Sequence, residues 1–558
     1  MANIKISRKQ FEKDIGKLDE KMQQRIALFG TPLESFNEEE IEIEIFPNRP
    51  DLLSYSGFKR SFLAFLEKKP GLKKYELNKP EKDYEIIVDS SVKDIRPFTA
   101  CAIVKDLKLD NEKIKEIIDI QEKLHATIGR KRKKLAIGVY PLEKIKLPIY
   151  YKALEPDKIK FIPLDSPGGK EMSGLEILQR HPTGRDYASL LKGKVKFPIF
   201  HDSNNQVLSM PPIINSENTG RVDEKTKDIF IECSGYNLDV LEKCINILSS
   251  TFADIGGKVY QMKIKSRENR ITPNFQTEKI KFSLENSNKL LGLNLQEKDL
   301  KKLFEKMGHD YDSKTKEVEI APWRTDILHE VDLIEEIAIA YGYENFVPEI
   351  PNISSIGEEN FEENCKKKIS EILIGLNFLE VSNFHLTTLP DQFEKMGIPE
   401  KTEKDCIFLI ESKTEYNILR KNLSSYILKT FSRNIDSEYP QKIFEIGKIF
   451  EKSSQKEIIE KEKLSIGIAP GNFTDMKQVI NYLEKMMNIK LEYKESQKDT
   501  PLHLIDGRTA EINFKNKIIG FFGEVHPKIL KNWKIKMPIS ILEIDLKEIF
   551  EELKSRTL

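Results

Sequence analysis

The chain has 558 residues, and its 90 Lys and Arg cancel its 90 Asp and Glu to a formal net charge of zero. With 39% hydrophobic and 32% charged residues it has a globular composition, and its length corresponds to roughly four domains at ~150 residues each. The balance excludes a polycation that coats nucleic acid and an acidic disordered tail, so an RNA partner would need a local basic patch.

The N-terminus, MANIKISRKQFEKDIGK, has charges every few residues and no apolar signal region. No stretch approaches the ~18 uncharged apolar residues of a membrane span. The five cysteines are odd in number, scattered and free of CxxC spacing, which fits reduced thiols rather than a disulfide framework or zinc site. The expectation is a cytoplasmic, multidomain chain with no membrane contact.

In chain order, residues 1–80 hold two helical patterns around a strand, Glu42–Phe46, whose sequence EIEIF alternates strictly. Pro50 and Asp51 suit a first helical turn, with Leu52, Leu53, Phe58, Phe62, Leu63 and Phe65 following at roughly helical spacing. Residues 84–268 read as a mixed α/β domain. Its strands are expected at 84–88, 99–104, 135–140, 196–200, 207–209 and 228–233, and its helices at 110–128, 173–180 and 237–252. Asp202–Asn205 is hairpin-loop chemistry.

Residues 272–346 form a small unit with helices at 285–292, 300–307 and 327–341 and a strand at 317–320. A linker containing Pro348, Pro351 and Gly357 precedes a last domain over 358–550. There strands are expected at 378–384, 406–410, 443–446, 464–469, 510–514, 518–523 and 541–545, with helices near 361–374 and 420–434.

Three stretches carry candidate chemistry. In APWRTDILHEVDLIEEIAIAYGY (321–343), Asp332, Glu335 and Glu336 share one helix face, and Asp326 lies where a carboxylate suits the helix N-terminus. Ile327, Ile334, Ile337, Ala338 and Tyr341 face the other way and are expected to pack inward. Taken alone, these residues favour a solvated acidic face; the alternative is a hard oxygen-ligated cation site, with Mg²⁺ the best match. His329-Glu330 is not HExxH, because Leu333 stands where histidine is required.

Arg130, Lys131, Arg132, Lys133 and Lys134 are the densest basic run and could meet several phosphates, or form a solvated loop. Ser209, Asn215, Glu232 and Ser234 fall near strand ends, where functional polar groups concentrate and where turn capping is the plainer reading. Walker A, GxGxxG and GxSxG motifs are missing from the sequence.

These stretches also carry a resemblance. FPNRPDLLSYSGFKRSFLAFL (46–66), LHATIGRKRKKLAIGVY (124–140), HPTGRDYASLL (181–191) with FPIFHDSNNQVLSMPPIIN (197–215), the 321–343 segment, and QKIFEIGKIF (441–450) with FFGEVHPKIL (521–530) occur in family order. Together they span about nine-tenths of the chain. The sequence resembles the beta subunit of phenylalanine–tRNA ligase in its short, archaeal/eukaryotic-like form.

The resemblance implies an α+β multidomain fold. Residues 1–80 would be a B1-like domain, and 84–268 a mixed α/β B3/B4 editing domain. A small helical, winged-helix-like and DNA-binding-like B5 domain would occupy 272–346. Residues 358–550 would be a catalytically silent, antiparallel-sheet copy of the class II synthetase core. In agreement, that last region has no GxGxxR-type ATP motif, and Arg420 and Arg433 lack the class II pattern around them.

It further implies an alpha2beta2 heterotetramer with an alpha subunit that carries the aminoacylation site, and a reaction that uses ATP, Mg²⁺ and the phenylalanine tRNA. Mg²⁺, at a site shared with alpha, falls on Asp326, Asp332, Glu335 and Glu336, some of them as outer-sphere groups. That overturns the preference for a solvated face.

The editing pocket, which clears tyrosine wrongly attached to the tRNA, falls on Phe200, Ser209, Asn215, Glu232 and Ser234. Commoner members have Asp and Thr at the last two positions. A pocket that accepts phenylalanine rejects its hydroxylated analogue only about 10²-fold, whereas a second pocket that hydrogen-bonds the hydroxyl discriminates the other way. With no Ser-His-Asp or Cys-His set, a positioned water is expected to attack the ester. Rival readings are a regulatory or RNA-binding paralogue without ligase activity and a stand-alone editing hydrolase.

Overall fold

The computed structural model describes residues 2–166, 169–350, 352–399, 406–453, 457–496 and 500–557. The chain folds as two units, 1–350 and 351–558. None of the helices described is long and apolar enough to cross a membrane.

The first unit begins with a three-stranded antiparallel sheet in which Glu40–Ile45 lies between Ala2–Ser7 and Leu33–Phe36. Alternation along EIEIEI puts Ile41, Ile43 and Ile45 in the core. Pro50–Leu52 forms one 3-10 turn, and the α-helix starts only at Tyr55, because Ser54 caps it by accepting a hydrogen bond from Gly57 N.

An eleven-stranded mixed sheet follows. Its main path runs Ile214–Asn215, Val207–Met210, Phe197–His201, Ile149–Leu154, Glu85–Val88, Lys258–Lys265, Phe98–Lys105, Ile229–Gly235, Leu135–Pro141. Lys258–Lys265 joins the two halves, pairing with Glu85–Val88 at one end and Phe98–Lys105 at the other. The Ile149–Leu154 and Lys258–Lys265 strands are absent from the sequence expectations, since tyrosines and lysines interrupt the run of aliphatic residues in both. Helix Leu238–Asp254 buries Leu241, Cys244, Ile245, Leu248 and Phe252. Helix Asn111–Ala126 is capped by Asp110, which accepts from Lys113 N.

The unit ends in a module of three helices, Leu284–Leu291, Glu297–Lys306 and Glu330–Tyr341, with a three-stranded antiparallel sheet centred on Glu317–Ile320. Its core contains Phe282, Leu300, Phe304, Val318, Leu333 and Ile337. Ile327, Ile334, Ile337 and Ala338 pack inward as expected, and Tyr341 is half-buried. The last helix starts at Glu330 and not at 327.

The second unit is built on a seven-stranded sheet, antiparallel except where Leu379–Glu380 joins Gln441–Lys452 in parallel. Of the expected 378–384 strand only Leu379–Glu380 pairs. Residues 406–410 contribute a single bridge, Phe408 to Ile418, in place of the expected strand. Phe378 and Cys406 are buried at the start of these segments, but Phe384 and Ile410 at their ends are largely exposed, so the apolar face does not continue along either. Along Ser540–Asp545, Leu542 and Ile544 enter one core and Ile541 the other, as strand alternation requires. Helix Phe473–Met487 covers the first core and is missing from the expectations. The five cysteines are buried.

Candidate functional site

The main path of the large sheet bends until its first and last strands meet. Tyr140, on the last strand, donates its phenolic hydrogen bond to Asn215 Oδ1 (3.3 Å), on the first, and also lies 3.3 Å from Glu232 Oε1. Gly138 permits this. It pairs with Glu232 across the ladder, and a Cβ there would lie 2.1 Å from the Tyr140 hydroxyl.

Where the strands meet, a cavity of about 170 Å³ is lined by Gln121, His125, Arg132, Ser209, Asn215 and Glu232, among others. Ser209 Oγ and Glu232 Oε2 are buried beside it without a well-formed hydrogen bond among the described residues. Burial pushes the Glu232 carboxyl up to about 8, against the pull of the Arg96 guanidinium. At neutral pH Glu232 is therefore a neutral acid that can donate as well as accept. His125 has both nitrogens engaged: Nε2 accepts from Ile137 N (2.7 Å) and Nδ1 faces Glu122 Oε1 (3.2 Å). Burial lowers its pKa, so it stays neutral.

Three of the five expected pocket residues, Ser209, Asn215 and Glu232, come together. Phe200 and Ser234 do not line the cavity. Phe200 stacks on Tyr151 in the neighbouring core, ring centroids 4.2 Å apart. Ser234 is held by Arg96, which donates to its carbonyl (2.8 Å) and its Oγ (3.3 Å). Sequence reasoning missed Tyr140, Arg96 and His125; the turn from His125 into LAIGVY was the available signal.

The basic run leaves the Asn111–Ala126 helix in a loop where Arg130, Lys131 and Arg132 all have positive φ (46°, 55° and 64°). Non-glycine side chains adopt this left-handed backbone only at a cost. Arg130, Lys131, Lys133 and Lys134 are exposed. Arg132 turns inward: it donates to Ile213 O (2.7 Å) and Glu122 (3.1 Å), and its guanidinium lies 4.4 Å from the Tyr187 ring centre. It belongs to the pocket wall and leaves four exposed cations in the patch.

The acidic residues of 326–336 are spread over distinct roles. Asp326 lies ahead of the helix and is gripped by Arg324, with Nε to Oδ1 at 2.9 Å and NH2 to Oδ2 at 2.7 Å. Glu336, expected on the acidic face, is buried. Arg324 donates to both of its oxygens (2.9 and 3.1 Å), and His309 Nε2 lies 3.3 Å away. Burial opposes its ionisation, yet Arg324 and His309 hold its carboxyl well below the usual range. Asp332 makes the cap expected of Asp326, accepting from Leu328 N and His329 N (both 2.8 Å). Glu335 is exposed.

Among the described residues no group of three or more His, Cys, Asp or Glu side chains is placed to hold a metal ion. Two of the four acids expected to bind Mg²⁺ already spend their oxygens on one guanidinium, so the four do not fit a shared Mg²⁺ site as arranged.

Comparison with known proteins bears on these features together. Residues 347–546 match the family profile described as phenylalanyl tRNA synthetase beta chain CLM domain, and residues 280–343 match the tRNA synthetase B5 domain. The phenylalanine–tRNA ligase beta subunit of Thermococcus sibiricus is 37% identical over 90% of both chains. That of Archaeoglobus fulgidus is 37% identical over 94% of this chain and 95% of its own. The chain belongs to the phenylalanine–tRNA ligase beta-subunit family.

A solved N-terminal fragment of the Pyrococcus horikoshii phenylalanyl-tRNA synthetase beta subunit superposes with a TM-score of 0.58 at 35% identity. It covers 61% of this chain and 99% of its own. For this family member, the arginines weighed in the C-terminal unit take definite places. Arg420 is buried, bonded to Glu445 and to the Lys448 carbonyl, whereas Arg433 is exposed at a helix end.

Proposed function

We propose that this chain is the beta subunit of a phenylalanine–tRNA ligase. It would assemble with an alpha subunit as alpha2beta2 and orient the phenylalanine tRNA in the cytoplasm, leaving ATP- and Mg²⁺-dependent charging to alpha. The observation that carries this reading is 37% identity across nine-tenths of both chains to a protein of that name.

On this reading residues 351–558 are a scaffold with a class II synthetase-like core and no aminoacylation site. Arg420, one of the two arginines weighed for ATP binding there, is committed to Glu445. The test is charging of the tRNA with phenylalanine and ATP by purified chain with and without an alpha subunit. Charging that requires both chains is expected; charging by this chain alone would overturn the proposal.

We infer also that the cavity at Ser209, Asn215 and Glu232 removes tyrosine from mischarged tRNA. A neutral Glu232 and the Asn215 amide offer a phenol hydroxyl a donor and an acceptor, which phenylalanine would leave unpaired at a cost of about 1–3 kcal/mol. His125, with both nitrogens bonded, is not free to act as a base. The ester is therefore attacked by a water held by side chains such as Ser209, whose buried hydroxyl lies beside the cavity and Tyr140. The assembled enzyme bearing Asn215→Ala should accumulate tyrosyl-tRNA while charging phenylalanine near the native rate. Equal losses in both reactions would assign Asn215 a structural role only.

A further inference from the structure

The acids at 326–336 need a cation, since two of them, Asp326 and Glu336, have side chains only 8% and 6% exposed. The chain supplies one itself. The Arg324 side chain is 3% exposed and lies between the two acids. All four of their carboxylate oxygens accept from its guanidinium, at 2.7 and 2.9 Å for Asp326 and at 2.9 and 3.1 Å for Glu336. The third acid, Asp332, has an oxygen spent on two backbone N–H groups of the helix cap.

A second buried guanidinium extends the arrangement. Arg49 is paired bidentately with Asp51 at 2.9 and 2.8 Å, and is close enough to Asp326 and Glu336 to feel their charge. Two arginines therefore sit among three buried carboxylates. His309 Nε2 lies 3.2 Å from the Arg324 NH1 and 3.3 Å from Glu336 Oε2, so the imidazole packs against the same ion pair.

Magnesium demands near-octahedral oxygen ligation at about 2.0–2.1 Å and gives up its waters reluctantly. Binding here would strip Arg324 of its acceptors and bring a dication against a desolvated guanidinium, a repulsion that water cannot screen at this depth. Of the four acids only Glu335 and the second oxygen of Asp332 are uncommitted, and two exposed or half-exposed donors do not make a near-octahedral site.

We infer that Arg324 is the resident counter-ion of this acidic cluster, and that the chain folds and holds the 326–336 segment without a divalent metal. Arg324 is here a structural cation in the place where the family resemblance puts Mg²⁺.

The test uses the full chain, stripped with EDTA, and measures bound magnesium by elemental analysis and the melting temperature with EDTA or with millimolar MgCl₂. The expected result is no stoichiometric magnesium and the same melting temperature in both buffers. Stoichiometric magnesium, or a melting temperature that falls in EDTA, would overturn the inference.

Two variants give an independent arm. Arg324→Met should lower the melting temperature by several degrees, since it leaves two buried carboxylates unpaired. Adding Asp326→Asn and Glu336→Gln to it should recover part of the loss. A single variant as stable as the native chain would overturn the counter-ion role. If the single variant fails to fold, the triple variant and the EDTA comparison still decide.

Discussion

At the scale of single residues, Glu232 sets the pH behaviour of the pocket. Its ordinary pKa is 4.5 and burial raises it to about 8 in the folded chain. Below 4.5 both folded and unfolded chains hold the proton, and the group costs nothing. Between 4.5 and 8 the unfolded chain releases the proton while the folded chain keeps it, so stability falls as pH rises, by up to about 1.4 kcal/mol per pH unit. Above 8 the loss levels off. Glu232→Gln copies the neutral acid at every pH. Its melting temperature relative to the native chain should therefore be near parity at pH 4.5, then climb and reach a plateau near pH 8. A difference that does not change with pH would show that Glu232 ionises normally. Tyr140, Arg96, Cys101, Tyr151 and Cys233 are titratable groups close enough to interact with it.

At the scale of elements, the Glu330–Tyr341 helix and the segment before it carry acids that the sequence presents as alike and the fold makes unequal. Asp332→Ala removes a cap and should cost about 1 kcal/mol. Glu336→Ala leaves Arg324 partly unpaired in the interior and should cost about 3–5 kcal/mol. Glu335→Ala, on the exposed side, should stay within about 0.5 kcal/mol. Urea unfolding of the three variants checks this order, and three equal losses would mean that the acids act as one group. The same inequality separates Arg132 from its exposed basic neighbours. A left-handed turn of three residues points one guanidinium into the pocket wall and leaves Arg130, Lys131, Lys133 and Lys134 in solvent. An RNA contact in this loop therefore rests on four side chains.

At the scale of the whole molecule, the chain divides at residue 350, and the segment there is open. Val347, Ile350, Ile353 and Ile356 are 81%, 95%, 73% and 94% exposed. Segments without buried side chains open at little free-energy cost and are cut first by proteases. Brief digestion of the folded chain should therefore cut within 346–360 and leave two resistant pieces of about 350 and about 200 residues. Mass spectrometry of the fragments reads this directly, and first cuts inside the large sheet would contradict the division. The zero net charge also makes sense at this scale. A chain with no net charge can still meet RNA through local patches, such as the exposed Arg130, Lys131, Lys133 and Lys134.

Several features are properties of the sequence by itself. EIEIEI is a strand because its period is two, and the Leu238–Asp254 helix forms because its apolar residues recur on one stripe. The ordered motifs identify the family over most of its length; Ser209 and Asn215 are named by their place in those motifs, and Glu232 by its place near a strand end. Those signals are local, so neighbouring residues suffice to carry them. What only the tertiary structure decides is which side chains meet across long separations. Tyr140 reaches Asn215 because the path of a sheet bends its ends together. Ser234 goes to Arg96, and Phe200 to Tyr151, because the Arg96 fork and the aromatic core claim them. Glu336 looks like its neighbour Glu335 in the sequence. It becomes a buried ion because Arg324, twelve residues away, arrives beside it with a charge and four donors.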